Sequence, residues 1–373
     1  NYTIRLNSSG TGILIKNTTK HFVIRSCTLI GVSSAAHRSQ GIYVWNITNG
    51  TISNTIIENF DVGINIISSR LLKIKFDVID SSIIGYGISM SKSRNVTLIN
   101  NIISVSIGSG IDIEQCEGCS LLNNSIVGPI SVVGTSISID SSIYITTQNN
   151  TCKESTCGIL VFDSQECIIK NDTYLNNTHY GIALLFSTKV YVKNNVLAGN
   201  KDHGIYCLWL NHSYIENNLA THNRVHGIYL RFSSNISLQN NIISRNGRAG
   251  VDLYRSPFNL IINNRFTENI IAGINLTNSG ENTLKNNLYL GNGFAGVSIS
   301  SSKGVVLEKE LLVKNYHGVY ILNDNRECAI RNCTLLNNTY GFFLEGARYL
   351  SIDHNKLENS KYTITLTQNS SFN

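Results

Sequence analysis

A glycine returns about every 23 residues through the middle of this chain, at Gly158, Gly181, Gly204, Gly227, Gly250, Gly273 and Gly296. Each opens a short alternation of apolar and polar residues: GILVF, GIALLF, GIYCLWL, GIYLRF, GVDLYRS, GINLTNS, GVSISSS. Half a row later a second alternation ends in paired asparagines, as at Asn194-Asn195, Asn217-Asn218, Asn240-Asn241, Asn263-Asn264 and Asn286-Asn287. A fixed period of this length marks a stacked repeat, in which no unit can bury its apolar face alone. Rows also open near Gly41, Gly63, Gly87, Gly110 and Gly134 before this stretch, and at Gly318 and Gly341 after it. Residues 1–40 form an irregular first coil. Its Ser/Ala/His segment at 32–40 delays Gly41 and reads as a loop insertion, and the row around Pro129 and Gly134 is the loosest. No shift in composition marks a boundary, so residues 1–373 read as a single domain.

Period-two alternation is the signature of half-buried strands. A glycine before each strand fits a tight turn with unusual backbone angles. Two or three short strands per row, with no helical stretch between them, predict an all-β fold: a single-stranded right-handed parallel β-helix, or solenoid. About 15 coils of about 23 residues, each rising ~4.8 Å, make a rod of ~70 Å. The paired asparagines are expected to form an Asn ladder, bonding from coil to coil while satisfying turn backbone. On this reading Asn123, Asn149, Asn171 and Asn332 belong to the ladder. A leucine-rich repeat is the rival, since ISLQNNII can be forced onto LxLxxNxL. The other half of each row, however, is GIxL alternation rather than a helix.

Charged residues make up only 14% of the chain against 42% hydrophobic, which excludes a disordered segment. The net charge of +6 is mild and not gathered into a block of sequence, and no recognition motif argues for nucleic acid. No apolar run approaches the roughly 18 to 20 residues of a membrane span. The chain has neither an initiator Met nor a signal peptide and so reads as a processed form or an excised part. Neither end reads as a cap, which points to a rod that continues or self-assembles through open ends.

Rows of the form GIxLxxSxNxxIxNNxIxxN, from about Gly12 to Leu366, resemble the parallel β-helix repeats of NosD-like proteins. These lie within the broad group of carbohydrate-binding and sugar-hydrolase β-helices that includes pectate lyases and polygalacturonases. The resemblance implies fold rather than activity. Pectin hydrolases would show NTD, Asp-Asp, Gly-His-Gly and Arg-Ile-Lys motifs; here the nearest match is Asp202-His203-Gly204. NosD-like proteins imply copper-site maturation, which the single methionine, Met90, does not suit.

Three constellations carry chemistry. Asp112 and Glu114 alternate on one strand face, with Asp140 one coil on, as a candidate calcium or acid–base site. The His203, His226, Tyr229, Asp252 and Arg248 strip supplies what a uronate lyase or epimerase needs: a base, an acid and carboxylate clamps. It equally suits a solvated polar face. Phe162, Leu185, Tyr206, Trp209, Tyr229 and Tyr254 predict a contiguous outward apolar strip, a ligand or partner surface.

Among nine cysteines, Cys152/Cys157 and Cys328/Cys333 are short pairs that could be disulfides in an oxidising compartment, and Cys116/Cys119 is a lone CxxC. Cys27 and Cys333 stand at the ladder position. Asn-x-Ser/Thr sequons are numerous, and Asn49, Asn95, Asn211 and Asn235 recur at one exposed turn suited to glycan. The sum is an extracellular, glycosylated surface or appendage rod that binds carbohydrate or partner protein. The competing class is a polysaccharide lyase, hydrolase or epimerase.

Overall fold

The computed structural model describes residues 2–32, 39–81, 85–128, 134–323, 325–359, 361–367 and 370. Most of the insertion expected at 32–40, and Pro129, lie outside the described residues. The chain divides into two compact units, residues 1–183 and 184–373.

Each unit is an all-β parallel solenoid. Every coil contributes one strand to each of three sheets, and all pairings are parallel. In the first unit the row glycines lead into first-sheet strands such as Gln40–Ile47, Val62–Ile67 and Tyr86–Ser91. Second-sheet strands follow, such as Gly50–Ser53 and Leu72–Lys75, and then third-sheet strands, such as Ile56–Glu58 and Val78–Ser81. The second unit repeats the order with Ile205–Leu208, Ile228–Arg231 and Val251–Tyr254 in its first sheet. The coil-to-coil offset there is 23 residues, as in Ile205↔Ile228↔Val251. No helix interrupts the described residues, which excludes the leucine-rich alternative.

Inward residues of equivalent strands stack along each unit. Ile64, Ile88, Ile111, Ile137 and Ile159 form one such line in the first unit; Ile205, Ile228, Val251, Ile274 and Val297 form one in the second, all fully buried. Each such side chain stabilises the fold by ~1.5–3 kcal/mol, so the core is a sum over coils.

The row glycines are needed for a different reason than the sequence suggests. Gly227 does not have a positive φ; a Cβ there would lie 2.7 Å from the carbonyl oxygen of Gly250 and 2.5 Å from Ile243 Cγ2. Close approach of the next coil, rather than unusual backbone angles, excludes a side chain.

The asparagine pairs divide their labour. The first member sits at positive φ on the surface side, as at Asn217 (55°), Asn240 (53°) and Asn263 (56°), a conformation Asn tolerates well. The second is buried and makes the ladder: Asn218 N donates to Asn241 Oδ1 at 2.9 Å, while Asn218 Nδ2 reaches Asn241 Oδ1 and Val192 O. Asn123, Asn149, Asn171 and Asn332 are exposed residues at positive φ outside the buried ladder, although Asn149 Nδ2 still donates to Asn123 Oδ1 one coil away at 3.1 Å. Two further ladders accompany this one in the second unit. One runs through Asn200, Asn223, Asn246, Asn269, Asn292 and Asn315 just before the glycines. The other passes through Ser233, Ser256, Ser279 and Ser302 after the first-sheet strands.

Candidate functional site

In the second unit the register brings Tyr206, Tyr229, Asp252 and Asn275 into one line along the first sheet. His203 and His226 lie one coil apart at the strand entrance, their rings stacked at 5.2 Å and 24°. Tyr229 packs on both, at 5.1 Å from His203 and 5.5 Å from His226. The strip expected from sequence is thus assembled, and its hydrogen bonds define its chemistry.

Both imidazoles are fully committed. His203 Nδ1 accepts the backbone N–H of His226 at 3.3 Å, and His226 Nδ1 accepts that of Ala249 at 3.2 Å. A nitrogen that accepts is unprotonated, so the proton sits on Nε2. There it faces a carboxylate: Asp202 Oδ1 for His203 and Asp252 Oδ2 for His226, both at 3.3 Å. Burial, with the neighbouring His226 and the Arg248 cation adding to it, lowers the His203 pKa to about 3. Burial and Arg248 lower that of His226 to about 4. Asp252, raised by burial, also accepts from Asn275 Nδ2 at 2.9 Å. Tyr229 is raised by burial and the Asp252 charge, so its phenol stays protonated. Neither imidazole offers a free lone pair at neutral pH, and a phenol with a raised pKa is a poor base. The Nδ1 atoms of both rings thus bind the next coil, and their Nε2 atoms face Asp202 and Asp252.

Beside it runs an aromatic edge. Trp209, 49% exposed, stacks on Phe232 at 4.9 Å and 11°, and Tyr254 meets Phe232 edge-on at 5.9 Å. The Arg231 and Arg255 guanidiniums lie over these rings at 5.4–5.8 Å. Tyr206 and Leu185 are half-buried, whereas Phe162, 39% exposed, belongs to the first unit.

The model of the right-handed β-helix region matches residues 130–289 and 272–373. The chain belongs to the right-handed β-helix family. Residues 1–166 also match the model of a periplasmic copper-binding protein, NosD. No curated protein matches. Among solved structures, this β-helix is similar to the periplasmic alginate epimerase AlgG, at 18% identity over 85% of this chain and 77% of that one, with a TM-score of 0.44. It is similar to the catalytic unit of a GH87 α-1,3-glucanase from Streptomyces thermodiastaticus, at 12% identity over 86% of this chain and 63% of that one, TM-score 0.53. PfbA, a surface adhesin of Streptococcus pneumoniae, matches at 12% identity over 74% of this chain and 85% of that one, TM-score 0.48. At such identities the likeness is one of fold.

Among the described residues, the donors weighed for copper are buried or already engaged. Met90 is fully buried in the core. Cys116 and Cys119 are buried thiols within hydrogen-bonding reach of each other, and their Sγ atoms also face backbone carbonyls. The imidazole lone pairs of His203 and His226 are already used. Among the described residues no group of three or more His, Cys, Asp or Glu side chains could hold a metal ion. The calcium expectation at Asp112, Glu114 and Asp140 finds no such group among the described residues. Glu114 and Asp140 stand in register one coil apart, and Asp112 pairs with Ser138. Burial raises the Asp112 carboxyl to about 6, against its Ser138 hydrogen bond and with the Glu114 and Asp140 charges adding to the rise.

All nine cysteines are free thiols, so Cys152/Cys157 and Cys328/Cys333 are not disulfides here. Cys333 N donates to Asn355 Oδ1 at 2.8 Å, which places Cys333 in the ladder as expected. Asn49, Asn95 and Asn235 are exposed and Asn211 is half-buried, with its Oδ1 accepting the Ser234 hydroxyl at 2.9 Å.

A second aromatic group is centred four coils beyond His226, and the sequence reading did not single it out. His317, 5% exposed, is enclosed by Phe294, Tyr316, Tyr320, Tyr340 and Phe343 at 4.7–5.3 Å. Between the two groups, Ala249, Ala272 and Ala295 occupy the same strand-entrance position and are buried. The recurrence of an aromatic or His residue just before Gly204, Gly227, Gly318 and Gly341 was the available signal.

Proposed function

We propose that this β-helix is an extracellular or envelope-facing surface component that binds carbohydrate through the first-sheet strip of its second unit. The observation that carries the reading is the exposed Trp209, stacked on a half-buried Phe232 whose ring lies under the Arg231 and Arg255 guanidiniums. Rings stacked coil on coil make a rigid apolar ridge along which sugar C–H groups can pack, and flanking guanidiniums offer donors to hydroxyls or carboxylates. A role in adhesion or structure is favoured by a strip whose two imidazole Nδ1 atoms are already occupied by backbone N–H groups. The exposure of Asn49, Asn95 and Asn235 supports glycan on the turns.

The alternative, a polysaccharide lyase, hydrolase or epimerase using His203, His226, Tyr229 and Asp252, is opposed by the hydrogen bonds that occupy both imidazoles. The test is a polysaccharide panel assayed in parallel for retention and for product release or epimerisation. Retention without turnover supports the proposal. Turnover that His226→Asn abolishes would replace it with the enzyme.

A further inference from the structure

The strand order of the first unit gathers cations that the sequence scatters. Arg25, Arg70, Lys73, Lys75, Lys92 and Arg94 are separated by up to 69 positions, yet they share the second sheet and the turn preceding it over the first four coils. Lys73 stands in line with Val23 and Thr51, and Lys75 with Arg25 and Ser53. Arg70 pairs with Arg94 through a parallel backbone bridge, one coil apart. Among the described residues the one carboxylate that ion-pairs with any of the six is Glu117, 3.1 Å from Arg94. Glu58 and Asp80, the nearby acids, stand on the third sheet instead.

Two clefts open on this face. Arg70, Lys92 and Arg94 line one of 260 Å³ together with the polar groups of Asn46, Thr48 and Ser68. Arg25 and Lys75 line the other, of 420 Å³, with Thr51, Asn54 and Phe76. Cations repeating at one or two coil rises, ~4.8 or ~9.6 Å, match a polymer with regularly spaced negative charge rather than a single ion. The hydroxyl and amide lining between the cations matches a hydroxylated backbone. The smaller cleft has no aromatic side chain, the platform on which a single-stranded nucleic acid stacks its bases.

We infer that this basic face of the first unit binds an acidic polysaccharide, its carboxylates seated against Arg70, Lys92 and Arg25. The inference takes only the choice of a polysaccharide from the carbohydrate-binding proposal; the residues and the charge requirement are its own.

The experiment measures binding of the full chain to three probes: an oligogalacturonate, its carboxyl-reduced neutral counterpart, and a single-stranded oligonucleotide of equal charge. The oligogalacturonate is expected to bind tightest, and its affinity to fall about tenfold or more between about 50 and 200 mM salt. Arg70→Ala with Lys92→Ala is expected to weaken it at least about tenfold, while Arg70→Lys, which keeps the charge, restores most of it. Lys193→Ala, which removes an exposed cation of the second unit outside both sites, should leave this binding unchanged. Equal binding of the charged and neutral oligosaccharides, tighter binding of the oligonucleotide, or wild-type affinity in the double variant would each overturn the inference. Circular dichroism of the double variant checks that these exposed substitutions leave the fold intact.

Discussion

The backbone N–H of His226 donates to Nδ1 of His203 at 3.3 Å, so a neighbouring coil, and not a substrate, holds the lone pair of that imidazole. The same bond recurs one coil later from Ala249 to His226. At these two positions histidine does the work that asparagine does in the ladders.

Both imidazoles should therefore stay neutral wherever the protein is folded and active. Their folded pKa values, about 3 and about 4, lie below the ordinary value near 6.5. A lowered histidine contributes stability above its unfolded pKa, and that stability is lost as pH falls through the folded one. Carbohydrate binding is expected to be flat from about pH 5 to 8 and to fail only toward pH 3–4. Imidazole chemical shifts followed by NMR check this; a His203 or His226 titration near pH 6.5 would contradict it.

Glu310 carries the opposite sign. Its Oε1 accepts from Asn287 Nδ2 at 3.2 Å at the end of an asparagine ladder, and burial pushes its pKa up to about 8. A raised carboxyl contributes stability below its unfolded pKa of about 4.3 and loses it as pH rises through about 8. Glu310→Gln is expected to flatten this dependence and to stabilise the protein at pH ~8.5 by of order 2 kcal/mol. Thermal melts at low and high pH measure it, and a variant no more stable at high pH would refute the assignment.

Glycines of two kinds should respond differently to alanine. At Gly227 the added Cβ meets backbone of the next coil, so Gly227→Ala is expected to destabilise by ~3 kcal/mol or more. At Gly291, where φ is 64° and the nearest atom is 4.0 Å away, the cost is backbone strain alone, about 1 kcal/mol. Urea melts of the two variants compare them directly. Equal effects would show that close approach is not the constraint.

Asn246 lies mid-ladder. Its Oδ1 accepts the N–H of Asn223 at 3.1 Å, and its Nδ2 donates to Ala220 O and Asn269 Oδ1. Asn246→Ala leaves buried backbone groups unpaired in two coils and is expected to destabilise by ~2–4 kcal/mol. The Asn240→Ala variant, at the exposed member of its pair with φ 53°, should lose about 1 kcal/mol. The same melts distinguish the two.

The fold could be read from the glycine and asparagine spacing because a period of this length leaves few packings that bury every row. The asparagine pairs were harder, since only the positive φ at Asn217 and its equivalents shows which member faces outward. The His203/His226 strip was visible as residues at one repeat position, but its tautomers depend on which N–H of the next coil reaches each ring. The basic face was invisible as charge patterning, because Arg70 and Arg94 become neighbours only through coil stacking. The His317 cluster escaped for a similar reason: its rings come from three successive rows and meet around one buried imidazole.

The central claim, a carbohydrate-binding strip without proton-transfer chemistry, is tested most directly on Trp209 and Phe232. Isothermal titration of the wild-type chain and of Trp209→Ala/Phe232→Ala against the best-retained glycan, with product analysis of the same mixtures, reads binding and turnover together. The account predicts saturable binding by the wild type, at least about tenfold weaker binding by the variant, and intact glycan in both. Cleaved or epimerised glycan in the wild-type mixture, or undiminished binding by the variant, would contradict it.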